Sequence, residues 1–301
     1  MGTTARILAF GGASDAVDRA HDSLAAMDSA WSRFRPESEL SLLNAAGGGR
    51  PVQVSPSTFA LIARAVDAWR RTGGRFDPTG LAAIRAWGYD RDFAQIDGPL
   101  GDSDPLAPSV PLLGCAEIGL DPLVRAVTLP IGTTLDLGGI GKGYAADLVA
   151  AELMAAGAIS VCVDLGGDLR VMGPGPYDGA WETTFEDPVL SDRLGRLRFA
   201  DGAVATSTRM RRRWRRGDVE LHHLLDPSTG APAESGLATV TVIAGEAWWA
   251  EVLAKAAFVA GAADGCALLE DAGVDGVLIA DDGAVTETRG MTQYRAGAVT
   301  S

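Results

Sequence analysis

The chemistry in this chain concentrates at residues 134–147, which read TLDLGGIGKGYAAD. An apolar run, Val127–Leu137, ends in Gly138 and Gly139, and Lys142 follows between Gly141 and Gly143. A helical pattern then runs from Tyr144 to Ala156 and stops at Gly157. This spacing predicts a strand, a glycine turn and a helix start with one lysine at the junction. Backbone amides at a helix N-terminus attract anions, and glycine allows a phosphate to come close. GxxxxGK[ST] is absent and GGIGKG lacks the GxGxxG spacing, so neither a P-loop nor a dinucleotide fingerprint is present. The residues leave two readings open, a phosphate cradle or a plain tight turn carrying a surface lysine.

Other segments carry groups suited to catalysis or binding. His222 and His223 precede the turn Asp226–Gly230. In an extended segment they face opposite ways, so one is placed to point inward as a general base. Glu251 and Lys255 stand one helical turn apart in the order that favours an ion pair. Asp136 and Asp164 each begin an Asp-Leu-Gly-Gly turn, which suggests two strand ends framing one site. Six arginines fall between Arg209 and Arg216, a solvated basic face or an anion contact. Asn44, ahead of three glycines, reads as a terminator of local structure.

Composition bounds the partners. The 301 residues are 47% hydrophobic and 22% charged, with a formal net charge of −13. That balance suits a soluble globular chain and disfavours nucleic acid, whose backbone needs a positive field. Three widely spaced cysteines form no metal-binding or disulfide pattern. No run approaches the roughly 18 apolar residues of a membrane span. The N-terminus lacks a basic region ahead of a long apolar core, so the chain as given reads as cytoplasmic, or as an exported form whose leader has been removed.

The elements that must position these residues follow from periodicity and punctuation. Strands are predicted at Thr4–Phe10, Cys115–Leu120, Ala126–Leu129, Ser160–Leu165, Ala180–Asp187, Gly195–Phe199, Val204–Ser207 and Ala238–Ala244, with a hairpin from Gly276 to Glu287. Helices are predicted at Ser14–Phe34, Ser55–Thr72, Ala247–Ala262 and Asp264–Ala272. The aromatics of Trp87-Gly88-Tyr89 suit a core or a planar ligand. Residues 90–111, rich in Asp, Pro and Gly, read as a mobile loop, and the rest as a single domain over 1–301.

Taken in order, these segments resemble the FAD:protein FMN transferases, the ApbE-type flavin transferases. The resemblance rests on Met1-Gly2-Thr3, SRFRPESELSLLN ending at Asn44, FDPTG from Phe76, WGY from Trp87, LDLGGIGKGYAAD from Leu135, DLGGD from Asp164, ATS from Ala205, HLLDPSTG from His223 and AEVLAKAA from Ala250. It implies an α+β fold of mixed sheets flanked by helices, related to the T-fold. It implies an enzyme that cleaves FAD and moves FMN to a threonine hydroxyl of a target protein, releasing AMP. Relatives that only hold FAD, or hydrolyse it to FMN and AMP, are the alternatives.

The resemblance also implies site roles. Lys142, with Gly138, Gly139 and Gly143, would hold the pyrophosphate. His223 would help deprotonate the acceptor threonine. Asn44, Asp77, Thr79, Asp168, Thr206, Ser207 and Asp226 would line the FAD site. The family's magnesium is held by an aspartate and a threonine four residues apart and by a carbonyl of the glycine loop. The matching positions here are Glu251, Lys255 and Gly139. Lysine is unsuited to a hard cation, so the resemblance carries magnesium only with a mismatch at Lys255. Thr208–Arg209 after ATS is a second departure, since many members continue with glycine and tyrosine.

Overall fold

The structure is a computed structural model that describes residues 3–96, 110–186 and 193–295. The first elements are β1 (Ala5–Gly11), α1 (Ala16–Trp31), α2 (Glu39–Ala45), β2 (Pro51–Gln53), α3 (Pro56–Arg71), α4 (Leu81–Ala86), β3 (Gly119–Asp121), β4 (Ala126–Thr128) and α5 (Gly141–Ala155). Then come β5 (Ala158–Leu165), β6 (Asp168–Met172), β7 (Trp181–Glu186), β8 (Arg193–Phe199), β9 (Gly202–Thr208), β10 (Arg213–Arg216), β11 (Val219–His222), β12 (Leu225–Asp226) and β13 (Ala231–Pro232). The chain continues through β14 (Leu237–Ala244), α6 (Ala247–Ala260), α7 (Ala262–Asp271), β15 (Asp275–Ala280) and β16 (Val285–Glu287). The class is α+β. Among the described residues every strand pairing is antiparallel. No described helix is long and apolar enough to cross a membrane.

The backbone divides into two compact units, one holding Ala25–Gly141 and Arg209–Glu234, the other Thr3–Leu24, Lys142–Thr208 and the chain from Ser235. In the first, β2, β4 and β3 form a three-stranded sheet. Two of its strands were expected, while β2 is too short to show a period. The strand predicted to continue to Leu137 stops at Thr128. Pro130 has no N–H to give a ladder, and Gly132 turns the chain at φ 82°. Two short helices, α2 and α4, also escaped the periodic reading. Ser38 caps α2 by accepting the Ser41 N–H at 3.0 Å. Leu81, Ile84, Trp87, Tyr89, Trp214 and Leu221 make a buried cluster, so the aromatics of the WGY segment are core. The Trp87 indole N–H donates to the Gly230 carbonyl at 2.7 Å, and that of Trp214 to the Trp87 carbonyl at 2.9 Å. Of the loop expected at 90–111, Phe93–Gln95 forms one 3-10 turn, and residues 97–109 lie outside the described residues.

In the second unit, seven strands order as β1-β5-β6-β9-β14-β15-β16. The turn at Gly166–Gly167, with φ of 68° and 96°, joins β5 to β6, as the two-residue hairpin of a twisted antiparallel pair requires. Asp168 therefore begins β6 rather than ending the strand before it. All eight residues of β14 are buried. Helix α6 packs against β9 and β14. Ile243 belongs to a cluster with Val204, Val277, Ile279, Trp181, Leu197 and Phe199. A strand covered on both faces loses its solvent-facing positions, and the two threonines of β14, Thr239 and Thr241, are buried with hydrogen-bond partners.

Candidate functional site

Lys142 is the second residue of α5, because the helix starts at Gly141 rather than at Tyr144. Gly143 lies inside the helix despite a propensity cost of about 1 kcal/mol against alanine. The reason is packing. A Cβ at Gly143 would sit 2.3 Å from the Ala247 carbonyl oxygen at the start of α6. That close approach brings the Gly143 N–H to Glu251 Oε2 at 2.9 Å.

Glu251 is the centre of the second unit's charge cluster. It is 1% exposed on α6. Lys142 Nζ lies 3.1 Å and Lys255 Nζ 3.2 Å from its Oε1. Burial pushes its carboxyl up, but the Lys142 and Lys255 ammonium groups and the Gly143 N–H outweigh this and hold it below the usual range. Lys142 also pairs with Asp168 Oδ2. Asp168 is buried and accepts the Thr206 N–H on Oδ1 at 3.2 Å. The Thr206 hydroxyl meets that of Thr241 across the ladder at 2.9 Å, and the Ser207 carbonyl accepts from Thr239 at 3.1 Å. Lys142, Gly143, Asp168, Glu251 and Lys255 thus gather in one cluster, which Thr206 joins through its backbone. The ion pair expected between Glu251 and Lys255 is present.

A neighbouring ion pair was not foreseen. Asp147, five residues after Lys142 on α5, receives the N–H groups of Ala247 and Trp248 at 2.9 Å each. It caps α6 from outside that helix. Burial pushes its carboxyl up to about 6, against those amides and Arg170, whose Nε lies 3.2 Å away. Only a distant partner reveals this role, since Asp147 in sequence is an ordinary residue of a helical pattern.

The first unit holds the remaining expected residues. Asn44 does not merely terminate α2. Its Nδ2 donates to the Leu135 carbonyl at 2.9 Å and its Oδ1 accepts the Leu135 N–H at 2.8 Å. The next residue, Asp136, donates its N–H to the Pro78 carbonyl at 2.8 Å and pairs with Arg33 at 3.3 Å. Arg33 is buried, with its guanidinium 4.4 Å from the ring centroids of both Phe34 and Tyr89. Asp77 Oδ1 accepts the Thr79 N–H and hydroxyl at 2.8 and 2.7 Å, and burial raises its carboxyl. The Asp136 turn does not end a strand, whereas Asp164 accepts the Gly167 N–H at 2.8 Å within a hairpin. Those two turns are therefore different structures.

The loop between Leu137 and α5 spends much of its backbone on itself. Gly138 N–H goes to Asp136 Oδ1 at 2.9 Å, and Ile140 and Gly141 both donate to the Leu137 carbonyl at 3.2 and 2.8 Å. With Gly143 committed to Glu251, the Lys142 ammonium is the stronger candidate for an anion than the amide cradle. Gly139 lies in this turn. His222 is buried, its Nδ1 accepting the Leu224 N–H at 3.3 Å, and His223 is half-buried. Asp226 Oδ1 accepts from Ser228 N–H and hydroxyl at 2.8 and 2.7 Å, an Asx turn. In the arginine run, Arg213 pairs with Glu220 at 3.1 Å and Arg216 donates to the Ala86 carbonyl at 2.8 Å. Among the described residues no three His, Cys, Asp or Glu side chains group as a metal site.

Comparison with known proteins places this arrangement. The family model of the ApbE family matches residues 1–278. The FAD:protein FMN transferase of Treponema pallidum is 33% identical over 272 residues, covering 85% of this chain and 75% of that protein. The FAD:protein FMN transferase of Rhodobacter capsulatus is 30% identical over 271 residues, covering 87% of this chain and 50% of that protein. The crystal structure of the ApbE protein from Thermotoga maritima superposes with a TM-score of 0.85 at 26% identity, covering 98% of this chain and 96% of that one. On the strength of a match that runs from the first residue into β15, the chain belongs to the ApbE family.

Proposed function

We propose that this chain is an FAD:protein FMN transferase. A threonine hydroxyl of a target flavoprotein attacks the phosphorus on the FMN side of FAD. The new bond is threonine oxygen to phosphorus, the diphosphate P–O–P bond breaks, and AMP leaves with the bridging oxygen. The hydroxyl proton passes to a base, a role we assign to His223 rather than to the buried His222. Phosphoryl transfer asks mainly for positioning and charge neutralisation. The observation that carries this reading is Lys142, a partly exposed ammonium in the first turn of α5 held by two buried carboxylates. Asp168 and Glu251 orient it, and Thr206, followed on β9 by Ser207, gives its N–H to Asp168. Asn44 and Asp77 with Thr79 act by shaping the backbone around Leu135 and Asp136.

The family resemblance brings magnesium with it. Magnesium wants a near-octahedral set of oxygen ligands. Here Glu251 gives one oxygen to two ammonium groups and the other to an amide, and Lys255 has no lone pair to offer while protonated. Glu251 and Lys255 as placed do not fit that ion, and no step above runs through it.

The test is incubation with FAD and a target protein bearing an acceptor threonine. The expected products are AMP and a target heavier by FMN less water, with the mass on threonine. Intact FAD and unmodified target, with magnesium, with manganese and without metal, would overturn the reading.

A further inference from the structure

Glu251 has partners on both oxygens. Lys142 and Lys255 share Oε1, and the Gly143 N–H takes Oε2. Asp168 likewise has Lys142 on Oδ2 and the Thr206 N–H on Oδ1. The two ammonium and two carboxylate charges sum to zero. A divalent cation entering this cluster would meet two like charges and compete with a partner already on every carboxylate oxygen.

A diphosphate meets a different balance. Lys142 and Lys255 are both partly exposed, at 17% and 20% of their side chains. Lys255 is tied to Glu251 by its own helix, one turn along α6. Lys142 reaches Glu251 and Asp168 from the first turn of another helix. If Lys142 stays on Asp168 and turns its other N–H groups from Glu251 to an anion, Glu251 keeps Lys255 and the Gly143 N–H, and neither buried carboxylate loses its cation. Stranding one would be costly.

We infer that Lys255 is a positioning residue that takes a divalent cation's place on Glu251, freeing Lys142 to hold the FAD diphosphate without metal. The inference rests on the FAD reading for its ligand, and its metal arm can be tested apart from it. Lys255 acts through Glu251 and Lys142, and it excludes metal by its charge.

The experiment uses the full chain. Manganese(II) is titrated while its free signal is followed by electron paramagnetic resonance, and FAD binding is followed by flavin fluorescence in EDTA and in magnesium. The parent is expected to take up no manganese and to bind FAD equally under both conditions. Lys255→Thr is expected to gain one manganese site and to lose about tenfold in FAD affinity in EDTA, restored by magnesium. Stoichiometric manganese binding by the parent, or a tenfold fall in its FAD affinity in EDTA, overturns the inference without any variant. So does a folded Lys255→Thr protein, checked by circular dichroism, that binds no manganese. A parent that binds no FAD under either condition sinks the FAD reading and this inference with it. A parent that binds FAD only with metal sinks this inference alone.

Discussion

Asn44 and Leu135, 91 residues apart, exchange two hydrogen bonds through the Asn44 amide. The pairing is the one a β-ladder residue would make with its neighbour. It appears where the chain has left β4 and has no strand beside it. A side chain thus supplies what the ladder no longer does and holds the segment that leads into the glycine turn.

Asn44→Ala removes both partners of the Leu135 backbone and leaves a part-buried N–H and C=O to find others. The expected loss of stability is about 1–3 kcal/mol, read by urea unfolding without FAD. A change within error of zero would show that water replaces the amide freely.

Glu251 is expected to be the least replaceable acidic residue of the second unit. Glu251→Ala leaves two ammonium groups facing each other beside an unsatisfied amide, at a cost of about 3–5 kcal/mol. Glu251→Gln keeps the shape and one acceptor and should cost less. Denaturant midpoints of the two variants in the same buffer decide the order.

Gly143→Ala reverses the usual helix expectation. Alanine is the better helix former, but its Cβ would meet the Ala247 carbonyl oxygen at 2.3 Å. Overpacking against backbone costs about 1–3 kcal/mol, so the variant should melt below the parent.

The pH profile of stability carries a signature of Asp147. Its folded pKa, pushed up to about 6 from an ordinary 3.8, means the folded state binds more protons than the unfolded state between those values. This group's contribution therefore falls as pH rises from about 4 to about 6 and stays low above, by up to about 3 kcal/mol. Glu251 has the opposite sign. Its depressed carboxyl supports the fold above its ordinary 4.5, and that support is lost as pH falls through the depressed value. Thermal midpoints from pH 4.5 to 7.5 for the parent and for Asp147→Asn should differ in slope, with the variant flatter. Equal slopes would contradict this assignment.

Lys142→Met retains the length of the side chain and removes its charge. AMP release from FAD in the presence of the target is expected to fall about 100-fold or more, the scale for losing one preorganised charge-stabilising donor. A loss confined to KM would assign Lys142 to binding alone.

Much of this architecture could be read from the residues. The amphipathic pattern of α3, with Ser55 and Pro56 at its start, marks its own N-terminus. The turn before Ala284 marks the hairpin of β15 and β16, whereas the glycine pair 166–167 read only as a strand end. The i, i+4 order of Glu251 and Lys255 marks their ion pair. Shorter elements such as α2, α4 and β2 offer too few turns or alternations for a period to appear.

Local sequence determined the longer elements, the hairpin of β15 and β16 and the candidate groups, because propensity, capping and turn chemistry act over a few residues. Which groups share an environment was decided only in three dimensions. Glycine at 143 is required by a carbonyl more than a hundred residues away, and Asn44 proved a clamp because a strand ended at Thr128. Lys142 reads in sequence as a surface lysine or an anion ligand. Its pairing with Asp168 and Glu251 arises from the packing of α5 beside β6 and α6, where buried carboxylates need nearby cations more than any local pattern can show.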